Sequence, residues 1–282
     1  MIRGARGVRV EDVTKPPYME NPHMADQATT TLRSTFDELA AQVRAFAPED
    51  LVRQSGASDW DVSQVLSHLG SGAEINLAAL EGALKGAGSP DGDTIRAIWA
   101  RWDAMTPAER ANAFLDANEN HISRLEGLDP ATRESLRIAL WFPSEPLDVE
   151  TFAKFRLNEL ALHTWDVQVA FDPAAGLRPD ATDILLDRVG GLLGWAAKPD
   201  RLGRAATLAV HVSAPERSFG LAIGEQAEIV DVPAEPDATL TAPAEWWLRL
   251  VTGRHAPEHT PPVVELTGSI TLAELRAVFP GF

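Results

Sequence analysis

"SDWDVSQVLSHLGSGAEINLAALEGAL", residues 58–84, is the stretch on which the fold turns. Val62, Leu66, Leu69, Ala73, Leu77, Leu80 and Leu84 follow one another by steps of three and four, which keeps a single apolar stripe on one face of a helix. Ser58 and Asp61, three apart at the head of the stripe, read as a capping box, and "GAGSPDGD" at 86–93 ends the run. A long helix with one buried stripe needs partners of the same kind, so the segment predicts a helical bundle.

The partners lie on both sides. Leu32, Phe36, Leu39 and Val43 give a helix over 29–47, and "APEDLVRQSGA" at 47–57 breaks it. A helical stretch from Thr94 to Leu125 is interrupted near Thr106 and Pro107, "WFPSEP" at 141–146 is a loop, and a fourth long helix runs from Val149 to Phe171. After the turn-rich "DPAAGLRPD", residues 181–197 read as one more helix. The texture changes past "AAKPDRLGRAA" at 196–206. "TLAVHVSA" at 207–214 alternates as a half-buried strand does, and further strands are expected at 217–223, 227–231, 238–242 and 263–267. Short helices at 243–253 and 271–279 sit among them. The expected class is therefore α+β in two domains: an irregular, disordered extension over 1–28, an all-α four-helix bundle over 29–198, and a small α+β domain over 205–282. Met24 reads as an alternative start.

Composition excludes several functions. A net charge of −16 disfavours a phosphate backbone or an anionic membrane as partner. The absence of cysteine removes disulfides, thiolate zinc sites and a cysteine nucleophile. No apolar run approaches the roughly 20 residues of a membrane helix, and the N-terminal segment lacks the apolar core of a signal peptide. The chain reads as cytoplasmic, a monomer or homodimer.

"NELALHTWDV", residues 158–167, sets an ionisable pair on a helix whose stripe (Phe152, Phe155, Glu159, His163, Ala170) otherwise looks core-facing. Positions four apart lie about 40° apart around the axis and about 6 Å along it, so Glu159 and His163 project together. A buried carboxylate needs compensation, and three compensators are open: His163 alone, an arginine such as Arg156, or a divalent metal. His68 adds a third donor from the second long helix and is the only other histidine the pattern turns toward the bundle interior. His121 falls in a polar helical stretch, His23 near the N-terminus, His211 on a strand, and His255 and His259 in a loop. Two imidazoles and one carboxylate, with a coordination position left over, match open, catalytic zinc sites. The same shell accepts other divalent metals.

"SDWDVSQVLSHLG" and "RLNELALHTWDVQVAF" resemble the two signatures of the DinB-like, mycothiol-dependent maleylpyruvate isomerase group, and "RLVTGRH" and "VELTGSITLAEL" fit its C-terminal, sterol-carrier-like α+β domain. The resemblance implies zinc on His68, Glu159 and His163, mycothiol as a low-molecular-weight thiol cosubstrate, and a small electrophilic substrate. It also implies a functional role for Arg254 and for a second arginine, Arg96 or Arg101, with Asp166 as an acceptor behind His163. The implied activity is isomerisation or thiol conjugation of a carboxylate-bearing metabolite. A metal-dependent hydrolase or biosynthetic tailoring enzyme without thiol, and a non-catalytic metal- or ligand-binding protein, are the alternatives.

Overall fold

A computed structural model describes residues 24–140 and 145–281. Its helices are α1 (Met24–Ala45), α2 (Pro48–Leu51), α3 (Val62–Leu84), α4 (Gly92–Asp103), α5 (Pro107–Glu126), α6 (Pro130–Ser135), α7 (Val149–Gln168), α8 (Pro179–Leu186), α9 (Val189–Ala196), α10 (Ala244–Val251) and α11 (Leu272–Val278). The strands are β1 (Ala206–Ser213), β2 (Arg217–Ile223), β3 (Ala227–Val230), β4 (Ala238–Pro243) and β5 (Glu265–Gly268). The class is α+β with a helical bundle ahead of a five-stranded sheet, as the patterning requires.

In the bundle, α1 packs on α5 and α7, and α3 packs on the same two from the other side. Leu32, Phe36, Leu66, Leu69, Phe114, Phe152, Leu157 and Leu160 meet in the middle, all out of contact with water. Helix α4 lies outside this square against α3 and seals a smaller cluster of Ile75, Ile95, Ile98 and Trp102.

In the sheet, the strand order is β3-β2-β1-β4-β5, with β1 and β4 parallel and the other pairs antiparallel. Leu208, Val210 and Val212 alternate inward from β1, and α10 covers β1 and β4 with Trp246 and Trp247, both fully buried. The apolar core is continuous from α1 to α11.

Three expectations are corrected. Most of the 1–28 extension lies outside the described residues, and its last part, from Met24, is already α1. The cap of α3 is Asp61 rather than Ser58: Asp61 Oδ1 accepts from the Gln64 amide (2.8 Å) and Gln64 Oε1 accepts from the Asp61 amide (2.9 Å). Ser58 instead belongs to a turn tied down by Gln54, whose Nε2 donates to the carbonyls of Ala57, Ser58 and Trp60. Finally, 181–197 is two helices. Bonds of i→i+3 type around Arg188 (Arg188 N to Leu185 O, Gly191 N to Arg188 O, both 3.0 Å) redirect the chain. Thus α8 covers α1 and α7 while α9 reaches β3. The loop expected at 141–146 lies mainly outside the described residues. Among the described residues no helix is long and apolar enough to cross a membrane.

Candidate metal centre

Helix α3 contributes His68 and α7 contributes Glu159 and His163. One donor atom from each lies within 4.8 Å of the other two. His68 Nε2 is 3.2 Å from Glu159 Oε2, His163 Nε2 is 3.9 Å from the same oxygen, and the two imidazole centroids are 4.6 Å apart. A tetrahedral ion with bonds near 2.1 Å separates its donors by about 3.4 Å, so the three residues fit one ion with small side-chain adjustments. Phe152 at the head of the stripe packs into the core, but Phe155, Glu159, His163 and Ala170 are only half-buried. The stripe borders a cleft, with 46% of the Glu159 side chain exposed, and that leaves the triad accessible from one side.

The donor chemistry fits as well. The carboxylate of Asp166, fully buried, accepts from His163 Nδ1 at 2.8 Å. A carboxylate can only accept, so Nδ1 carries the proton and Nε2 turns its lone pair toward Glu159. Burial holds the His163 pKa below its usual value against the opposing pull of Asp166, with Arg254 adding to the depression; the neutral, ligating imidazole is the stable form. For Glu159, desolvation resists ionisation, but the hydrogen bond with His68 and the neighbouring His163, His68 and Arg156 side chains outweigh it and hold the carboxyl below the usual carboxylate range.

Asp166 is itself clamped. Arg254 donates Nε to its Oδ1 (2.9 Å) and Nη2 to its Oδ2 (2.7 Å), while Nη1 reaches the Thr252 carbonyl (3.2 Å). Despite the opposing cost of burial, Arg254 and His163 together keep the Asp166 pKa below the usual carboxylate range. Arg254 is aimed by the end of α10. Gly253 adopts φ +82°, and the Arg254 amide returns to the Arg249 carbonyl at 2.7 Å, closing a Schellman turn. A β-carbon at Gly253 would stand 2.4 Å from Gly281 Cα. On the other side, Gly56 approaches α7 closely, its amide donating to the Asp166 carbonyl at 2.7 Å. That contact fixes the turn carrying Trp60, whose ring lies 5.2 Å from that of His68 and 6.0 Å from that of His163.

Arg156 sits behind the triad rather than on it. Its Nη2 donates to the Leu69 carbonyl (2.6 Å) and to Asn118 Oδ1 (2.7 Å), and burial lowers its pKa to about 10 against the attraction of Glu159. His121 contradicts the expectation that His68 is the only other histidine turned toward the bundle interior: it is wholly buried, edge-on to Phe152, with neither ring nitrogen hydrogen-bonded among the described residues. The α5 sequence around it is polar, but Phe114, Asn118, His121, Ile122 and Leu125 form the face turned inward.

Of the expected arginines, Arg254 is brought to the triad, and Arg96 and Arg101 are not. Arg96 pairs with Asp93 within α4, and Arg101 pairs with Glu74 on α3. Both are largely exposed. A different arginine, Arg110, lines a cavity of about 270 Å³ that opens beside His68 and is walled by Trp60, Trp99 and Trp102. The interruption at Thr106 and Pro107 was legible and is what turns Arg110 toward α4. Its place in a cavity depends on the α3–α4 packing, which no local pattern signals.

The comparisons with known proteins bear on family and fold. Residues 32–168 match the mycothiol maleylpyruvate isomerase N-terminal domain. The fold is similar to the crystal structure of a mycothiol-dependent maleylpyruvate isomerase, with TM-score 0.65 at 12% identity over 90% of this chain and 98% of that one. A histidine-to-alanine mutant of the mycothiol-dependent isomerase gives TM-score 0.64 with the same identity and coverage. No curated relative matches the chain at the level of sequence.

Proposed function

The chain belongs, through residues 32–168, to the family of the mycothiol maleylpyruvate isomerase N-terminal domain, and from that premise we propose that it is a metal-dependent enzyme in which a small thiol, mycothiol, adds to an electrophilic, carboxylate-bearing metabolite. The observation that carries the reading is the convergence of His68, Glu159 and His163 at the edge of an open cleft, with His163 Nδ1 already committed to Asp166. A divalent cation held there, zinc in the first instance, favours thiolate over thiol at neutral pH.

The protein's own groups do the rest. Asp166 keeps the His163 proton on Nδ1, and Arg254 keeps Asp166 ionised and in place. Trp60 lies over both imidazoles and shields one side of the triad from water. The cavity beside His68 receives the acceptor, with Arg110 as its cation. In the isomerase reading, the sulfur forms a bond to one carbon of a cis double bond conjugated to a carbonyl, and the π pair moves onto the carbonyl oxygen. Rotation about the resulting single bond follows. The C–S bond then breaks, the pair returns, and the trans double bond forms with the thiolate released. A conjugating enzyme stops after addition and protonation of the neighbouring carbon.

The test is metal analysis joined to thiol titration. Purified protein carries about one zinc per chain, His68→Ala loses it, and mycothiol binds the zinc form in a calorimeter but not the metal-free form. Retention of zinc at unchanged affinity in His68→Ala refutes the ligand set. Absence of mycothiol binding to the zinc form favours the hydrolase or tailoring alternative, and a zinc-free protein of native stability favours a non-catalytic binder.

A further inference from the structure

Resting on that reading of the site, we infer that the cavity beside His68 selects a planar, conjugated acid bearing a single carboxylate, such as an aryl-acrylate, over a short dicarboxylate. Two features carry the inference: the supply of free cations and the shape of the walls.

Arg254 is spent. Its Nε and Nη2 are both engaged by Asp166 and its Nη1 by the Thr252 carbonyl, and only 13% of its side chain is exposed. Arg96 and Arg101 are paired away from the cavity. Arg110 remains. It is held by the end of α4, donating to the Asp103 carbonyl (2.8 Å) and more loosely to the Trp102 carbonyl and Ser63 Oγ (both 3.4 Å), and it forms no ion pair among the described residues. Its charge is offset only by carbonyl dipoles and by the exposed Asp103 at the rim. One unpaired guanidinium opposed by one rim carboxylate suits a single bidentate acid group. A second carboxylate would lie against Asp103 with no arginine to meet it, and on the reading above the metal's open position belongs to the thiol.

The walls favour a flat ligand. Trp60, Trp99 and Trp102 line the cavity. Trp102 is seated against α3 because position 70 is glycine: a β-carbon there would stand 2.1 Å from the indole. Its Nε1 is fixed by Glu74 (3.0 Å), so the ring cannot swing clear. Trp99 is 43% exposed and stands outside the buried α3–α4 cluster, an apolar surface available to a ligand. Ser67 and Ser71 add small, polar edges on the α3 side. A volume of about 270 Å³ admits an aromatic ring with a short unsaturated arm and leaves a four-carbon diacid poorly packed.

The experiment is calorimetric titration of the zinc-loaded full chain, without thiol, with trans-cinnamate and separately with maleate. Cinnamate is expected to bind at least tenfold more tightly. Arg110→Gln should weaken cinnamate about tenfold or more, the loss of a charge-assisted pair. Trp99→Ala, at an exposed position that the fold does not need, should weaken it about two- to tenfold. Maleate binding as tightly as cinnamate overturns the inference. So does cinnamate binding that neither substitution changes, because the acid would then sit on the metal alone. No turnover or thiol enters the measurement, so a failure of mycothiol to bind refutes the proposed function while leaving this result to stand or fall separately.

Discussion

His121 is an imidazole sealed in the core with no hydrogen-bond partner among the described residues, and burial, reinforced by the charge of Arg156, drops its pKa to about 3. In the unfolded chain a histidine takes up its proton near pH 6.5. Between those values the unfolded state binds more protons than the folded one, so stability falls as the pH drops below about 6.5 and is unaffected by this group above it. By pH 5 the loss from this residue is about 2 kcal/mol. His121→Leu should therefore match or exceed the wild type in urea midpoint at pH 7.5 and lose less of it at pH 5. Parallel pH dependence in the two proteins would mean that His121 is hydrated or exposed in solution. A residue-scale prediction at the candidate metal centre concerns Asp166→Asn: the amide can satisfy only part of what the carboxylate does for His163 Nδ1 and Arg254. Zinc affinity, read by competition with a chelator, should fall about 10- to 100-fold.

At the scale of elements, α3 is the piece that both the bundle and the site need. Gly70→Ala would force Trp102 outward. We expect a loss of about 1–3 kcal/mol from overpacking, together with weaker quenching of tryptophan fluorescence by ligands of the cavity. Wild-type stability in that variant would show that α4 can shift without strain. Why α3 and α7 were legible while His121 and Arg110 were not follows from the kind of information each uses. The stripe from Val62 to Leu84 and the Glu159/His163 pair are local, set by helix periodicity alone. Gly253 ahead of Arg254 is local too, because a glycine just past the last turn takes the positive φ that the Schellman turn requires. The burial of His121 depends on α5 lying between α1 and α3, and the role of Arg110 depends on α4 folding back over Gly70. Such facts belong to tertiary packing. The Ser58 cap failed for a related reason: Gln54 captures that turn, and the helix starts one turn later at Asp61.

At the scale of the whole molecule, the sheet-bearing half is wired to the His68/Glu159/His163 triad of the bundle. Glu245 on α10 accepts from the Leu177 amide (3.3 Å) and pairs with Arg249, whose guanidinium also lies 4.8 Å from the Trp165 ring on α7. Beside them Arg254 grips Asp166, 88 residues away in sequence. Substituting Arg254→Met should thus act twice. It leaves a buried carboxylate without its cation, at about 3 kcal/mol, and it loosens the group that orients His163. Suppose zinc is supplied at a hundredfold excess over the wild-type dissociation constant. Binding then adds about 2.7 kcal/mol to wild-type stability. If the variant binds roughly thirtyfold more weakly, within the range for loss of a supporting partner, the same zinc adds only about 0.9 kcal/mol. Urea unfolding of both proteins with and without zinc measures the two increments directly. A variant that loses baseline stability yet keeps the full zinc increment would show that Asp166 orients His163 unaided, and the α10 turn would then be a structural strap with no hold on the metal.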